Sequence, residues 1–413
     1  MKTMIALFIF SAHVAQAAGI PEDENIQDLL EGQQELKSLE VIQRMGLNDG
    51  ATKLDLWSGH YWPHYQGALG VRYREPNFKT LISRDEKKFG MYKKITEKWP
   101  TYSFKNEAMN LLSPAEKYDL LVGDYTMAMT KFSWELGSGM VSAVPTWRGI
   151  CDGWSSATQM MPRPIKSVEM TSPSGQKITF FPEDIKALGS QLYARNQENP
   201  IFLGKRCSVK IPNPFSNACN PTNPGSFHKA LVNRVGKLGK SFIADIDPST
   251  QVWNYPVKSY SVTYYNVLSN EESKNFKDVV ELFKDHHRFK KGFSRHNRTG
   301  YIVGVEVKVK YQDMRPAPLS VEDGAEYDKV LTKTYDYDLE LDYSYNILGG
   351  VASAKNLPDF IWAPNDGEFP LSTIEQEQGI ARNDKEIFAQ ARESSKNGEP
   401  LSVIVKELFE LSK

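Results

Sequence analysis

"NPGSFHKALVNRVGKLGKSFIADIDPSTQVWNYPV", residues 223–257, is the stretch on which the reading of the fold turns. Two runs, HKALVNRV at 228–235 and KSFIADID at 240–247, flank the glycine-bounded GKLG at 236–239. Such runs around a tight turn read as two strands of a hairpin. On that reading the chain folds back so that a residue near 245–247 stands opposite His228. A turn centred on Gly236 and Lys237 sets Asp245 against the histidine, and one centred on Lys237 and Leu238 sets Asp247 there. Both have the parity that keeps a carboxylate on the imidazole's face. The expectation is an antiparallel sheet with His beside Asp.

Upstream, "PTWRGICDGWSSATQMM" at 145–161 places Cys151 where a helix can begin. At a helix N-terminus the unsatisfied N–H groups and the dipole favour a thiolate and could later hold an oxyanion. Asp152 works against this, because an adjacent carboxylate disfavours a second negative charge. Of the three cysteines, Cys207 and Cys219 bracket the Pro/Asn-rich loop CSVKIPNPFSNAC. In an oxidising compartment those two are expected to pair, leaving Cys151 as the odd thiol. Thiol acyl transfer needs a nucleophile, a base and a group that orients the base. Cys151, His228 and Asp245 (or Asp247) supply those types. Each also has a plainer reading: an inert packed thiol, a hydrogen-bonded strand histidine, an aspartate opening the DIDPST turn.

The first residues, MKTMIALFIFSAHVAQAAG, have the charged start, apolar run and small-residue cleavage site of a signal peptide over 1–17, so a secreted or periplasmic protein is expected. No later stretch is apolar enough to span a bilayer, and with a net charge of −1 no nucleic-acid partner is implied. Residues 22–44 have helical apolar spacing and fall in a helical segment at 18–50, a candidate pro-segment. Ser113, Pro114 and Glu116 form a helix-start signature. Period-two alternation marks strands at 257–267, 302–311 and 335–343. In the last of these, Asp336, Asp338, Glu340 and Asp342 share a face, as a calcium site or as partners for Lys308 and Lys310 across strands. Residues 272–291 contain a polar helix, and the adjacent His286 and His287 diverge too far on it to make a metal pair. A docking helix closes the chain within a helical segment at 366–413.

Several segments together resemble the transglutaminase elicitor family: WRGICDGWSSA, NPGSFHKAL and DPSTQVWNYPV, with WSGHYWPHYQGALGVRY and SPAEKYDLLVGD upstream and NILGGVASAKNLPDFIWAP downstream. The resemblance runs from Trp57 to Pro364, inside a catalytic region at 51–365. It implies an α+β fold with a papain/transglutaminase-like core, in which a cysteine helix packs on an antiparallel β-sheet with extra helices at both ends. It also implies a Cys–His–Asp site on Cys151, His228 and Asp245, with Asp247 the alternative. The implied reaction moves a glutamine acyl group through a thioester to a lysine amine of a protein or peptide partner, or to water. No cofactor is required, although analogy with transglutaminases allows a calcium dependence. Papain-like enzymes carry a Gln before the cysteine as oxyanion donor, and SAVPTWRG at 142–149 has none. The Cys151 N–H and the Trp147 or Trp154 indole would serve instead, unless those tryptophans are core. Asn254 supports the site from behind or is structural. A cysteine peptidase or amidase with the same triad, and a non-catalytic secreted recognition protein, are the competing readings.

Overall fold

The computed structural model describes residues 25–76, 98–138, 144–197, 200–206, 222–247, 249–283, 296–352, 357–365 and 369–413. In chain order, α1 (Leu39–Arg44) and β1 (Asp49–Ala51) precede a helical block of α2 (Pro114–Val122), α3 (Ala128–Ser138) and α4 (Cys151–Met160). The hairpin β2 (Val168–Thr171) and β3 (Lys177–Phe180) leads to α5 (Pro182–Asn196), β4 (Ile201–Gly204) and α6 (Pro224–Ala230). Then come β5 (Ile243–Asp245), β6 (Asn254–Tyr265), β7 (Glu272–Ser273), α7 (Phe276–Val279), β8 (Glu281–Leu282), β9 (Tyr301–Asp313) and β10 (Lys329–Leu341). The chain ends with β11 (Ile347–Ala352), β12 (Phe360–Ala363), α8 (Thr373–Gln378), α9 (Asp384–Ser395) and α10 (Ser402–Leu411).

The antiparallel sheet runs in the order β11-β10-β9-β6-β5-β12-β4, with β1 and β7 added on β6 and β8 on β9. Its long strands lie where the alternation puts them. Val305 pairs with Tyr337 and Val307 with Tyr335, and Val262 stands beside Val307, so these apolar residues share one buried face. On the other face the same ladder sets Asp336 opposite Glu306 and Asp338 opposite Gly304, while Lys308 and Lys310 face Thr334 and Thr332. In direct register, then, none of these acids stands opposite Lys308 or Lys310. Tyr265 instead donates its hydroxyl proton to Asp336 at 3.0 Å. Among the described residues no cluster of acidic, His or Cys side chains could hold a metal ion.

The hairpin reading of 228–247 is overturned. Asn223 accepts a hydrogen bond from Gly225 N at 2.8 Å and Pro224 occupies the first helical position, so this stretch starts a helix. α6 continues into a π-helical turn over Leu231–Lys237. Phe227, Ala230, Leu231 and Val235 recur at helical spacing and are fully buried against the sheet's apolar face. Only Ile243–Asp245 is a strand, and its partners are β6 and β12. The N-terminal expectation is corrected too: Gln27–Leu30 is a 3-10 turn, separated from α1 by Glu31 and Gly32 at φ +51° and +78°. Of the polar helix expected within 272–291, the described part holds the single turn α7 between β7 and β8, and residues 284–291 lie outside the described residues. The signal segment, His286, His287, Cys207 and Cys219 lie outside the described residues.

A second core lies among the helices, where α4 and α5 pack with α2, α10 and the aromatic stretch from Trp57 to Tyr73. Ser113 and Glu116 close a reciprocal cap at the start of α2, as their spacing predicts. α10 buries Ile404, Val405, Leu408 and Phe409, and Phe409 meets Trp57 with ring centroids 6.4 Å apart. Among the described residues no helix is long and apolar enough to cross a membrane.

Gly153 permits the close contact between α4 and α5. A methyl group there would stand 2.0 Å from Ser190 O and 2.7 Å from Ala194 Cβ. Gly153→Ala should therefore lower stability by about 1–3 kcal/mol, read as a fall in the urea midpoint at unchanged slope.

Candidate active site

Cys151 opens α4 and is held from two sides. Behind it, Ile150 N donates to Tyr61 O at 2.8 Å. One turn along, the Trp154 indole donates to Trp57 O at 3.3 Å, and Thr158 bridges Trp57 N at 2.6 Å and Trp57 O at 3.1 Å. Trp154 is thus core, its N–H committed to Trp57. In front lies the β5–β6 junction. Asp245 and Asn254 are register partners, and neighbours across a ladder share a face. Asn254 Nδ2 comes within 3.5 Å of the Cys151 sulfur, which itself points at Val252 O at 3.8 Å. The Trp362 indole donates to Asn254 Oδ1 at 2.8 Å. Asp245 Oδ1 accepts from Trp253 N at 2.9 Å, while its buried Oδ2 has no hydrogen-bond partner among the described residues. A charge on Asp245 pushes the thiol's pKa further up, the smallest of the influences on it.

Among the described residues Cys151 is a free thiol, 5% exposed. Burial, then the Asp152 charge, pushes its pKa up to about 12, with Asn254 pulling the other way. The lowering expected of a helix N-terminus is overcome, and magnitudes explain why. A helix dipole contributes about 0.3–1 kcal/mol, ~2 in a favourable buried geometry. Taking an ion out of water costs several kcal/mol. Burial likewise pushes Asp245 up to about 8.

His228 is on a different helix from Cys151. It sits on α6, fully buried, with Nδ1 2.9 Å from the Tyr337 hydroxyl and Nε2 without a hydrogen-bond partner. Neither nitrogen therefore bonds Cys151, Asp245 or Asp247. Phe227 and Ala230 beside it belong to the sheet core, whereas Ile150 and Trp154 beside Cys151 belong to the helical core. Asp247 accepts from Ser249 N at 2.8 Å, a local turn. Trp147 is half-buried with the Arg206 guanidinium 5.6 Å above its ring. The structure thus joins Cys151 with Asn254, whose ladder partner is Asp245, and sets His228 against Tyr337. Sequence reasoning missed Trp362 and the Val252 carbonyl. A donor-only indole near the end of the chain has no local signal tying it to residue 254.

The site is thus a helix-tip thiol facing an antiparallel sheet in a mixed helix-and-sheet architecture. The sequence model of the transglutaminase elicitor family matches residues 35–390. The chain belongs to that family. Its structure is similar to the crystal structure of the GP42 transglutaminase from Phytophthora sojae, with a TM-score of 0.61 at 20% identity, covering 95% of this chain and 99% of that one. At that identity the likeness shows the fold. No curated protein matches the sequence.

Burial holds His228 neutral, with its pKa down at about 3. An unfolded histidine titrates near 6.5, so between those values the unfolded chain binds the extra proton and stability falls as pH is lowered. His228→Gln removes that term. Its unfolding free energy should drop about 2 kcal/mol less than the wild type's between pH 7 and pH 5, measured by urea titration at both. Equal drops would mean that the imidazole is not held neutral.

Proposed function

We propose that this chain is an exported thiol acyltransferase. Cys151 attacks the carboxamide carbon of a glutamine side chain, the C–N bond breaks, and the thiol proton leaves with the nitrogen as ammonia. The γ-glutamyl thioester then passes to a lysine amine, making an isopeptide bond, or to water, making glutamate. The partner is a protein or peptide with an accessible glutamine. The observation that supports this most is the free thiol at the tip of α4, faced by the amide of Asn254, the ladder partner of Asp245.

The resemblance assigns proton transfer to His228 with Asp245 or Asp247. Of these, Asp245 lies across the ladder from Asn254, whose amide faces the sulfur, and its Oδ2 has no hydrogen-bond partner among the described residues, which leaves it able to carry a proton. His228 holds Tyr337. A second reading, a secreted recognition protein that keeps the fold without the chemistry, is favoured by the near-complete burial of the sulfur and its pKa of about 12.

Incubation with a glutamine-donor peptide and a fluorescent amine tests both. Cys151→Ala should abolish incorporation while near-UV circular dichroism stays that of the wild type. Asp245→Asn should slow incorporation about 10²–10⁴-fold if its carboxyl carries the proton. His228→Gln should stay within about tenfold of the wild type when compared per folded molecule, and a larger loss would return the base role to the imidazole. Ammonia without incorporation would indicate deamidation, and new peptide termini a thiol peptidase. None of these products, with recognition by another cell intact in Cys151→Ala, would establish the second reading.

A further inference from the structure

We propose that Trp362 is a positioning residue that fixes the Asn254 amide with its NH₂ toward Cys151, making Asn254 the side-chain donor that holds negative charge as it forms at this site. The inference rests on the reading of Cys151 as nucleophile. An indole N–H can only donate. The atom of Asn254 at 2.8 Å from Trp362 Nε1 must therefore be the carbonyl oxygen. The amide is planar, so its NH₂, itself only a donor, is left facing the sulfur at 3.5 Å. The opposite flip would set donor against donor at Trp362. Chemistry thus determines the orientation.

The indole is itself held. Trp362 is the register partner of Phe202 on β4 and Ile243 on β5. Its ring stacks on Phe202, centroids 5.5 Å apart and planes 19° apart. Ile243, Phe360 and Trp362 form a small separate core, in which Trp362 is 2% exposed. Asn254, 4% exposed, has its oxygen committed to the indole. Little water competes for its N–H, so that donor counts for more than it would at a surface.

The placement answers a gap in the sequence. No glutamine precedes Cys151 across 142–149, and the Trp154 indole is spent on Trp57 O. Among the described residues Asn254 is the side chain whose donor reaches the sulfur, and it acts there with its own backbone N–H, which also favours the thiolate. The Cys151 backbone N–H at the tip of α4 would share an oxyanion formed on attack, since the first N–H groups of a helix have no partner within it.

The test reads thiol chemistry, so its failure is distinct from failure of acyl transfer. The full chain is treated with iodoacetamide from pH 6 to pH 10, and Cys151 modification is followed by peptide mass spectrometry. Trp362→Phe keeps most of the stacked ring and loses only the N–H group's side of it. The pH–rate profile of this variant should move to higher pH, with a rate at pH 8 about tenfold below the wild type's. Asn254→Asp still accepts from Trp362 but turns an acceptor toward the sulfur, so its rate should fall at least as far. This second variant keeps the test decisive if Trp362→Phe does not fold. A wild-type profile in Asn254→Asp would overturn the donor role. A wild-type profile in folded Trp362→Phe, with Asn254→Asp slowed, would overturn the positioning role of Trp362.

Discussion

The geometry around Cys151 depends on how the short stretch Asp55–Ser58 is pinned. Arg163, just past the end of α4, donates to the Asp55 carboxylate, Leu56 O and the Asp328 carboxylate. Lys186 on α5 donates to Ser58 O at 2.7 Å and pairs with Asp323, which also takes the Arg315 guanidinium. These groups, apart from Asp55, are almost wholly buried. Burying ions costs solvation that is recovered only when every partner is in place, and removing one partner of such a set costs about 3–5 kcal/mol. The network therefore acts as an all-or-none clasp. It joins α5 and the β9–β10 connection to the segment whose Trp57 backbone holds α4.

Beyond this anchor, Cys151 marks a second place where the helical block meets the sheet. α4 belongs to the helical core and α6 to the sheet core, and contact between helical block and sheet at Cys151 is made through the first residues of β6. There Asn254 carries the load from both directions, one end of its amide on Trp362 and the other on the sulfur. A junction between separately packed bodies is where a few polar contacts can hold a defined geometry without competing with close-packed apolar side chains.

Much of the architecture was legible in the sequence because it rests on local rules. The alternation in YIVGVEVKVKYQD and YDYDLELDY specified two long strands and the faces of their residues, and the Ser113–Glu116 cap specified the start of α2. Cys151 as the first residue of a helix was legible for the same reason. The segment 223–247 was misread because two local signals competed. The glycine-flanked GKLG suggested a hairpin, while Asn223-Pro224 and the spacing of Phe227, Ala230, Leu231 and Val235 dictated a helix. The helix prevails because it places four apolar side chains on the sheet at once, burial that strands 228–235 and 240–247 would have split between two faces. That error carried the expected His–Asp pairing with it. The Asn254–Trp362 bond joins residues 108 positions apart through sheet order, which no local pattern encodes.

Burial of the sulfur and the chemistry of a thiol nucleophile look opposed, yet they have a common physical origin. Excluding water raises the cost of a thiolate at Cys151 and of a carboxylate at Asp245, so near pH 7 both groups are largely neutral and do not repel each other. The same exclusion lowers the local dielectric, where a fixed dipole acts on a nascent charge far more strongly than in water. One oriented amide, one helix tip and one carboxyl able to hold a proton would contribute little on an open surface. Enclosed at the junction of the two cores, they are the groups that decide where charge can appear, and the Asp55–Ser58 clasp keeps them in register while it does.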